Sequence, residues 1–458
     1  MAVDPDTCSG AVPPRLPMLV ADNAGQVFAW RRGGVLTAGE FLAHVHQVAA
    51  TLPERAAVVN LCEDRYAFMV AFCAAMLQGQ ITLLPPSRAP RAVDEVMAMH
   101  ADSYALGEQT LESAPQGYRQ LPDFLRVSGC VADVAPLQVF EEQVVAIAYT
   151  SGSTGTPQPT RKTWGSFHAS TARNLAMLRA VFDGTLGIVA TVPPQHMYGV
   201  ETSVLLPLLG GHSVHAGRPF FPADIAMALA EIAEPRMLVT TPVHLRALVE
   251  SGIRLPPLAL MLSATAPLSL ALARAAEDRF QAPLREVFGS TETCVFASRR
   301  ATVSEDWELY PDVRLFPQAD GTLVEAPQLA QAVTLADIVR LSSDRRYFRL
   351  QGRSSDLLEI AGKRTSLSDL TRRLLAVPGV CDGVMLQFGD GNALGVQRIA
   401  ALAVAPGLLE SDIVDALRQA VDPVFLPRPL RLVEALPRSE TGKLPRAALL
   451  AMLRDRNS

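Results

Sequence analysis

Short apolar runs alternate with helix-period stretches along most of this chain, and the runs end in small or polar residues. Gln143–Tyr149 (QVVAIAY) opens the series, and Gly187–Val192, Met237–Thr240, Leu258–Ser263 and Leu284–Phe288 continue it. Helical spacing over Ser166–Val181, Ala223–Ile232, Val243–Ser251 and Leu268–Phe280 separates the runs. Strands that read as continuous apolar segments are buried on both faces, the signature of parallel strands joined by helices. The expected fold is therefore α/β: a large N-terminal domain of several subdomains with mostly parallel sheets, whose ligands collect at the carboxyl ends of strands. Earlier residues are less regular. Glu63–Leu77 reads as a buried helix and Gln80–Leu84 as a strand, while residues 101–140 are weakly patterned.

The pattern changes near Gly352. Beyond it, short strands at Gly383–Phe388 and Ile399–Val404 and a helix at Ser411–Val421 suffice for a small α+β domain. The expected division is residues 1–353 and 354–458. Bulk properties exclude several classes. In 458 residues, 49% hydrophobic content against 19% charge argues against disorder, and a net charge of −5 gives no electrostatic footprint for nucleic acid. The longest purely apolar run, Tyr66–Leu77, is too short to span a bilayer. No basic segment leads into an apolar stretch at the N-terminus, so no secretory signal is expected. The six cysteines are scattered without metal-site spacing, as reduced thiols in a cytoplasmic protein would be.

Cations are used unevenly. There are three lysines, Lys162, Lys363 and Lys443, against 38 arginines. A lysine kept in such a background marks a place where a compact ammonium is needed and a planar guanidinium is not equivalent. All three are expected in loops rich in glycine, proline or hydroxyl residues. The strongest chemical signal is Thr150-Ser151-Gly152-Ser153-Thr154-Gly155-Thr156-Pro157, directly after a strand. Glycines let a backbone approach an anion, and hydroxyl and N–H groups donate to phosphate oxygens. It is not the GxxxxGK[ST] loop. A second loop, Phe288-Gly289-Ser290-Thr291-Glu292, also follows a strand and offers a carboxylate beside hydroxyls, a donor suited to Mg²⁺ on nucleotide phosphates. An ordinary helix N-cap at Thr291 would explain that pentapeptide equally well.

Together the two loops resemble the adenylate-forming superfamily of acyl- and aryl-CoA synthetases, peptide-synthetase adenylation domains and luciferases. Four further segments match in order. Ala264, Thr265 and Ala266 look like the adenine-site segment, and Asp337 in LADIV like the ribose-binding aspartate. Gly352-Arg353-Ser354-Ser355-Asp356 looks like the hinge motif, with Arg353 a second ribose contact. Pro437-Arg438-Ser439-Glu440-Thr441-Gly442-Lys443 looks like the loop bearing the catalytic lysine. The resemblance implies ATP and Mg²⁺ as cofactors, with Thr150, Ser151, Gly152, Ser153, Thr154, Gly155 and Thr156 around the phosphates and Phe288, Gly289, Ser290 and Thr291 beside the nucleotide. It implies Lys443, Glu292 and Thr154 as the catalytic groups, with Glu292 on the metal.

On the same resemblance, His196 and Tyr198 in PPQHMYG shape the acyl pocket with Gly289. Gly362, Lys363 and Arg364 line the thiol tunnel after the small domain rotates about Ser355. The closest likeness is to the compact ligases of aryl polyene and xanthomonadin-type pigment clusters, which pass a benzoate-type acid to a carrier protein. Two departures stand out. Pro157-Gln158-Pro159 replaces the usual Pro-Lys-Gly, leaving Arg161 or Lys162 to reach pyrophosphate, and Ser355 replaces the usual first hinge carboxylate. Three functions follow: a ligase charging an acyl-carrier protein, a ligase of the same chemistry using free CoA, or a non-catalytic nucleotide-binding protein.

Overall fold

The computed structural model describes residues 13–122, 137–151, 157–353, 356–360, 363–388, 398–438, 442 and 444–454. The chain is mixed α/β and forms two compact units. One gathers the described residues up to Arg218 with Glu231–Ala233 and Ser290–Cys294; the other holds Pro219–Ala230, Glu234–Gly289 and the residues from Val295 onward. The expected boundary at 353/354 lies inside the second unit.

In the first unit a six-stranded sheet runs in the order Pro157–Thr163, Val144–Ser151, Ile81–Leu84, Ala57–Asn60, Ser103–Gly107 and Arg119–Gln120. Its central pairs are parallel. The outermost strand, Pro157–Thr163, returns antiparallel along Val144–Ser151. Pro157 and Pro159 are tolerated there because an edge strand needs no N–H on its outer side. The helix Arg65–Leu77 is buried around its whole circumference, as its unbroken apolar sequence demands, and Asp64 caps it by accepting from the Ala67 N–H at 2.8 Å. Gly187–Ala190, Ser213–His215 and Val27–Arg31 pair parallel, with Gly34–Thr37 added antiparallel.

In the second unit Arg236–Thr240, Leu260–Ser263 and Leu284–Ser290 form a parallel set whose carboxyl ends lead into Thr241, Ala264 and Thr291. Asp337–Leu341, Tyr347–Arg353 and Trp307–Leu309 pair antiparallel. The C-terminal strands Asp382–Phe388, Arg398–Val404 and Leu430–Leu432 make a separate three-stranded sheet. Alternation along the middle strand sends Ile399, Ala401 and Ala403 to the helices Leu367–Leu375 and Glu410–Arg418, and Ala400 and Leu402 to the helix Arg446–Arg454.

Three expectations need correction. Lys162 is not in a loop but inside the strand Pro157–Thr163, and Lys363 opens the strand Lys363–Ser366. The run expected to be a strand to Val192 ends at Ala190, since Pro193 and Pro194 cannot continue a ladder. The weakly patterned stretch from 101 contains a strand, Ser103–Gly107, buried between neighbours and therefore without alternation.

Candidate active site

The candidate residues fall in two sets, one in each unit. Gly152, Ser153, Thr154, Gly155, Thr156, Ser355, Gly362 and Lys443 lie outside the described residues.

In the first unit Thr150 and Ser151 end the strand Val144–Ser151, opposite Gln158 and Pro157. The turn Ser290–Cys294 is tied by reciprocal bonds. The Ser290 N–H donates to Thr293 Oγ1 at 3.0 Å and the Thr293 N–H to Ser290 Oγ at 3.2 Å. Thr291 and Glu292 are half-buried. Lys162, 3% exposed, points inward: its Nζ donates to the Glu292 carbonyl at 2.9 Å and to Cys294 Sγ at 3.3 Å. Arg161, the other cation considered, is exposed. Burial pushes the Cys294 thiol up to about 11, the Glu201 carboxylate adds to the rise, and the Lys162 ammonium opposes it. Glu201, 2% exposed, accepts from Ser170 Oγ at 2.6 Å and Asn174 Nδ2 at 3.3 Å.

The Glu292 carboxylate makes no hydrogen bond or ion pair among the described residues, so its oxygens are available to a cation. Mg²⁺ is commonly held by one or two carboxylates together with substrate phosphates, and this donor set suits it. No cluster of three or more acidic, histidine or cysteine ligands occurs among the described residues.

The acyl segment is in the same unit. His196 precedes a short helical turn, Met197–Gly199, which continues as a π-helix over Val200–Leu205. Thr202 Oγ1 donates to the Tyr198 carbonyl at 2.5 Å and Ser203 Oγ to the Gly199 carbonyl at 2.6 Å, capturing acceptors that the wider turn releases. Beneath it lies Arg65, fully buried. Its Nη2 donates to the carbonyls of Ala190 and Val192 at 2.9 Å each, and its Nη1 to Ser203 Oγ. Burial pulls the guanidinium down to about 9. Arg65 thus ties the end of Gly187–Ala190 to the π-helix, bracketing the PPQHMYG segment. Sequence reasoning missed it because its partners are backbone carbonyls more than a hundred positions away.

In the second unit Ala264, Thr265 and Ala266 follow the strand Leu260–Ser263 and are half-buried. Thr265 holds φ +79, a conformation that costs a non-glycine residue of order 1–3 kcal/mol and that clusters at functional sites. Ser263 Oγ and Thr265 Oγ1 are buried without a hydrogen-bond partner among the described residues. A Cβ at Gly442 would stand 3.5 Å from Val243, 3.8 Å from Ala266 and 3.9 Å from Thr265, so the residue preceding Lys443 packs on the adenine-like segment. Arg438 anchors that loop: its Nε and Nη2 grip Asp382 at 2.9 and 2.6 Å, and its Nη1 donates to the Gly442 carbonyl at 2.7 Å.

The two residues matched to ribose contacts are brought together, Asp337 standing directly opposite Arg353 in the antiparallel register. Gly352 has φ +136, and a Cβ there would meet Ser366 at 2.5 Å. Ser366 Oγ donates to the Gln351 carbonyl at 2.9 Å, binding the strand before the hinge motif to the helix Leu367–Leu375. Phe288 packs edge-on or tilted against Phe296, Trp307 and Phe348, with ring centroids at 5.3–5.8 Å, and Gly289 is exposed beside it. Lys363 and Arg364 pair with Ile360 and Glu359 in the hairpin that follows the hinge.

A family model described as AMP-binding enzyme matches residues 20–326. The 4-coumarate–CoA ligase of Halorhodospira halophila is 31% identical over 304 residues, covering 64% of this chain and 73% of that enzyme. A 3-hydroxybenzoate–CoA/4-hydroxybenzoate–CoA ligase of Thauera aromatica is 23% identical over 370 residues, 71% of this chain and 70% of that one. In three dimensions the chain is similar to O-succinylbenzoate coenzyme A synthetase from Bacillus subtilis in complex with AMP. The TM-score is 0.79 at 16% identity, covering 96% of this chain and 99% of the other.

Proposed function

Since this chain belongs to the AMP-binding enzyme family and is an AMP-forming acid–thiol ligase, we propose that its acid is aromatic and its acceptor the phosphopantetheine thiol of an acyl-carrier protein. The observation that carries the aromatic reading is the likeness to a 4-coumarate–CoA ligase over 73% of that enzyme's length. Free CoA is the second reading for the acceptor, favoured by the CoA ligases among the relatives. Both acceptors present the same pantetheine thiol, so the first half-reaction is common to them.

That half-reaction brings two anions together. A carboxylate oxygen attacks the α-phosphorus of ATP, an acyl–O–P bond forms, and the bond to the β-phosphate oxygen breaks to release pyrophosphate. Lys443, as a point charge, stabilises the approach, and Glu292 would hold Mg²⁺, which would supply neutralising charge to the leaving pyrophosphate. Asp337 and Arg353 hold the ribose, and Ala264, Thr265 and Ala266 the adenine, with the two orphaned hydroxyls of Ser263 and Thr265 available as donors there. No protein nucleophile is required, because positioning and electrostatics suffice. The acceptor sulfur then attacks the acyl carbon, AMP leaves with the bonding pair, and the thiol proton goes to solvent. In this reading 354–458 is the rotating domain, Ser355 its pivot, and Gly362, Lys363 and Arg364 its acceptor-facing segment.

We place the reaction in the cytoplasm. The described cysteines Cys62, Cys73, Cys294 and Cys381 are all free, and no described helix is long and apolar enough to cross a membrane. None of the candidate wall residues offers a cation for a second carboxylate or an acid for an α-amine, so a neutral ring bearing hydroxyls is the expected cargo. In this reading His196 and Tyr198 contact that ring. ATP–pyrophosphate exchange with 4-hydroxybenzoate, 3-hydroxybenzoate, 4-coumarate, octanoate and palmitate tests this, with exchange expected for the aromatic acids. A clear preference for palmitate would sink the aromatic reading and leave the adenylation chemistry standing. Incubation with CoA or holo-carrier protein then decides the acceptor.

A further inference from the structure

We propose that Lys162 is a positioning residue for metal binding: an internal cation that fixes the peptide carrying Glu292 and so aims its carboxylate at Mg²⁺. The proposal rests on the reading of Glu292 as the metal ligand. Lys162 is 3% exposed in a chain that almost everywhere else uses arginine, so its role is not that of a surface charge. It sits on the edge strand Pro157–Thr163, in register with Ala146 of the strand Val144–Ser151, and reaches from there to the Ser290–Cys294 turn. Its ammonium donates to two acceptors on either side of Thr293, the Glu292 carbonyl and Cys294 Sγ.

That pair of contacts fixes a peptide plane. A carbonyl held at 2.9 Å by a buried ammonium cannot rotate freely about the bonds flanking Glu292. The ring of bonds between Ser290 and Thr293 restrains the residue before Glu292, and the left-handed conformation of Cys294, at φ +60, restrains the chain after it. Lys162 closes the remaining freedom. A guanidinium is larger and planar, and two acceptors on one turn suit the compact, rotatable donors of an ammonium.

Groups that orient a metal ligand typically contribute about 10–100-fold to metal affinity when removed. Binding of Mn²⁺, a spectroscopic stand-in for Mg²⁺, would be followed by electron paramagnetic resonance in the presence of a non-hydrolysable ATP analogue. Exchange with pyrophosphate would be measured against Mg²⁺ concentration in parallel. Lys162→Met is expected to raise both half-saturating concentrations about 10–100-fold, while transfer from supplied acyl-adenylate stays within about twofold. Lys162→Gln keeps a neutral donor and should lie between wild type and Met; where the Met variant does not fold, Gln carries the test.

Glu292→Gln supplies the comparison. It should raise the metal requirement by itself, and adding Lys162→Met to it should change little more, since both act on one ligand. A Glu292→Gln effect with unchanged metal binding in the Lys162 variants overturns the positioning role. No effect of Glu292→Gln on metal binding overturns the ligand reading and the proposal with it. A Lys162→Met loss equal in the two half-reactions, with metal binding unchanged, marks a merely structural lysine and also overturns it.

Discussion

Replacing Lys443 with alanine should slow acyl-adenylate formation by about 10²–10³-fold, the loss expected when one preorganised donor to developing charge is removed, and leave transfer from supplied acyl-adenylate nearly intact. In the proposed mechanism the ammonium serves where carboxylate and α-phosphate meet, and that meeting occurs only in the first half-reaction. Local structure around the preceding residue supports the assignment. A Cβ added at Gly442 would lie within 3.9 Å of Thr265 and Ala266, and the Gly442 carbonyl is held by Arg438, which is itself locked to Asp382 by two bonds. Pyrophosphate exchange would report the first step, and thioester formation from synthetic acyl-adenylate the second. Equal losses in both would count against a lysine that serves one step and against rotation of the small domain between them.

Much of this molecule was legible in its sequence where burial writes itself into composition. The strands Leu260–Ser263 and Leu284–Ser290 read as apolar runs because parallel strands are covered on both faces, and the helix Arg65–Leu77 reads as buried because it has no polar side. The nucleotide motifs were drawn from residue type at fixed order, since phosphate and ribose chemistry restricts both, and the register sets Asp337 opposite Arg353. What escaped were three cations that bond to backbone carbonyls. Arg65 holds Ala190 and Val192, Lys162 holds Glu292, and Arg438 holds Gly442. A carbonyl acceptor is present at every residue and marks none of them. Lys162 was visible as an anomaly of composition, yet its direction depended on a strand whose two prolines argued for a loop. Ser103–Gly107 escaped for the opposite reason: a short buried strand carries no alternation to detect.

Gly199→Ala should distort the acyl segment more than any other single methyl in it, although the backbone there is ordinary. Gly199 has φ −67 and ψ −42, helical angles that alanine adopts freely, so conformational freedom is not why glycine stands here. Contact is. An added Cβ would lie 1.9 Å from the Pro193 carbonyl oxygen, 2.9 Å from its carbon and 3.4 Å from Pro194 Cα, all backbone atoms. Neither proline can swing its ring away to make room, and the end of the preceding strand is held by Arg65 through Ala190 and Val192. The segment Pro193–Tyr198 must therefore shift, and overpacking of this kind costs about 1–3 kcal/mol. Because His196 and Tyr198 ride on that segment, the KM for the acid should rise about tenfold or more, equivalent to about 1.4 kcal/mol of lost binding, while the KM for ATP changes little. The melting temperature should fall by only a few degrees, because the shift of about 2–4 °C per kcal/mol typical of domains of about 150–250 residues shrinks further in a longer chain. Gly34→Ala is the control, since a Cβ there meets nothing within 4 Å and φ is not in the left-handed range. An unchanged acid KM in a normally folded Gly199→Ala enzyme would remove His196 and Tyr198 from the acyl pocket and move the search for its walls elsewhere.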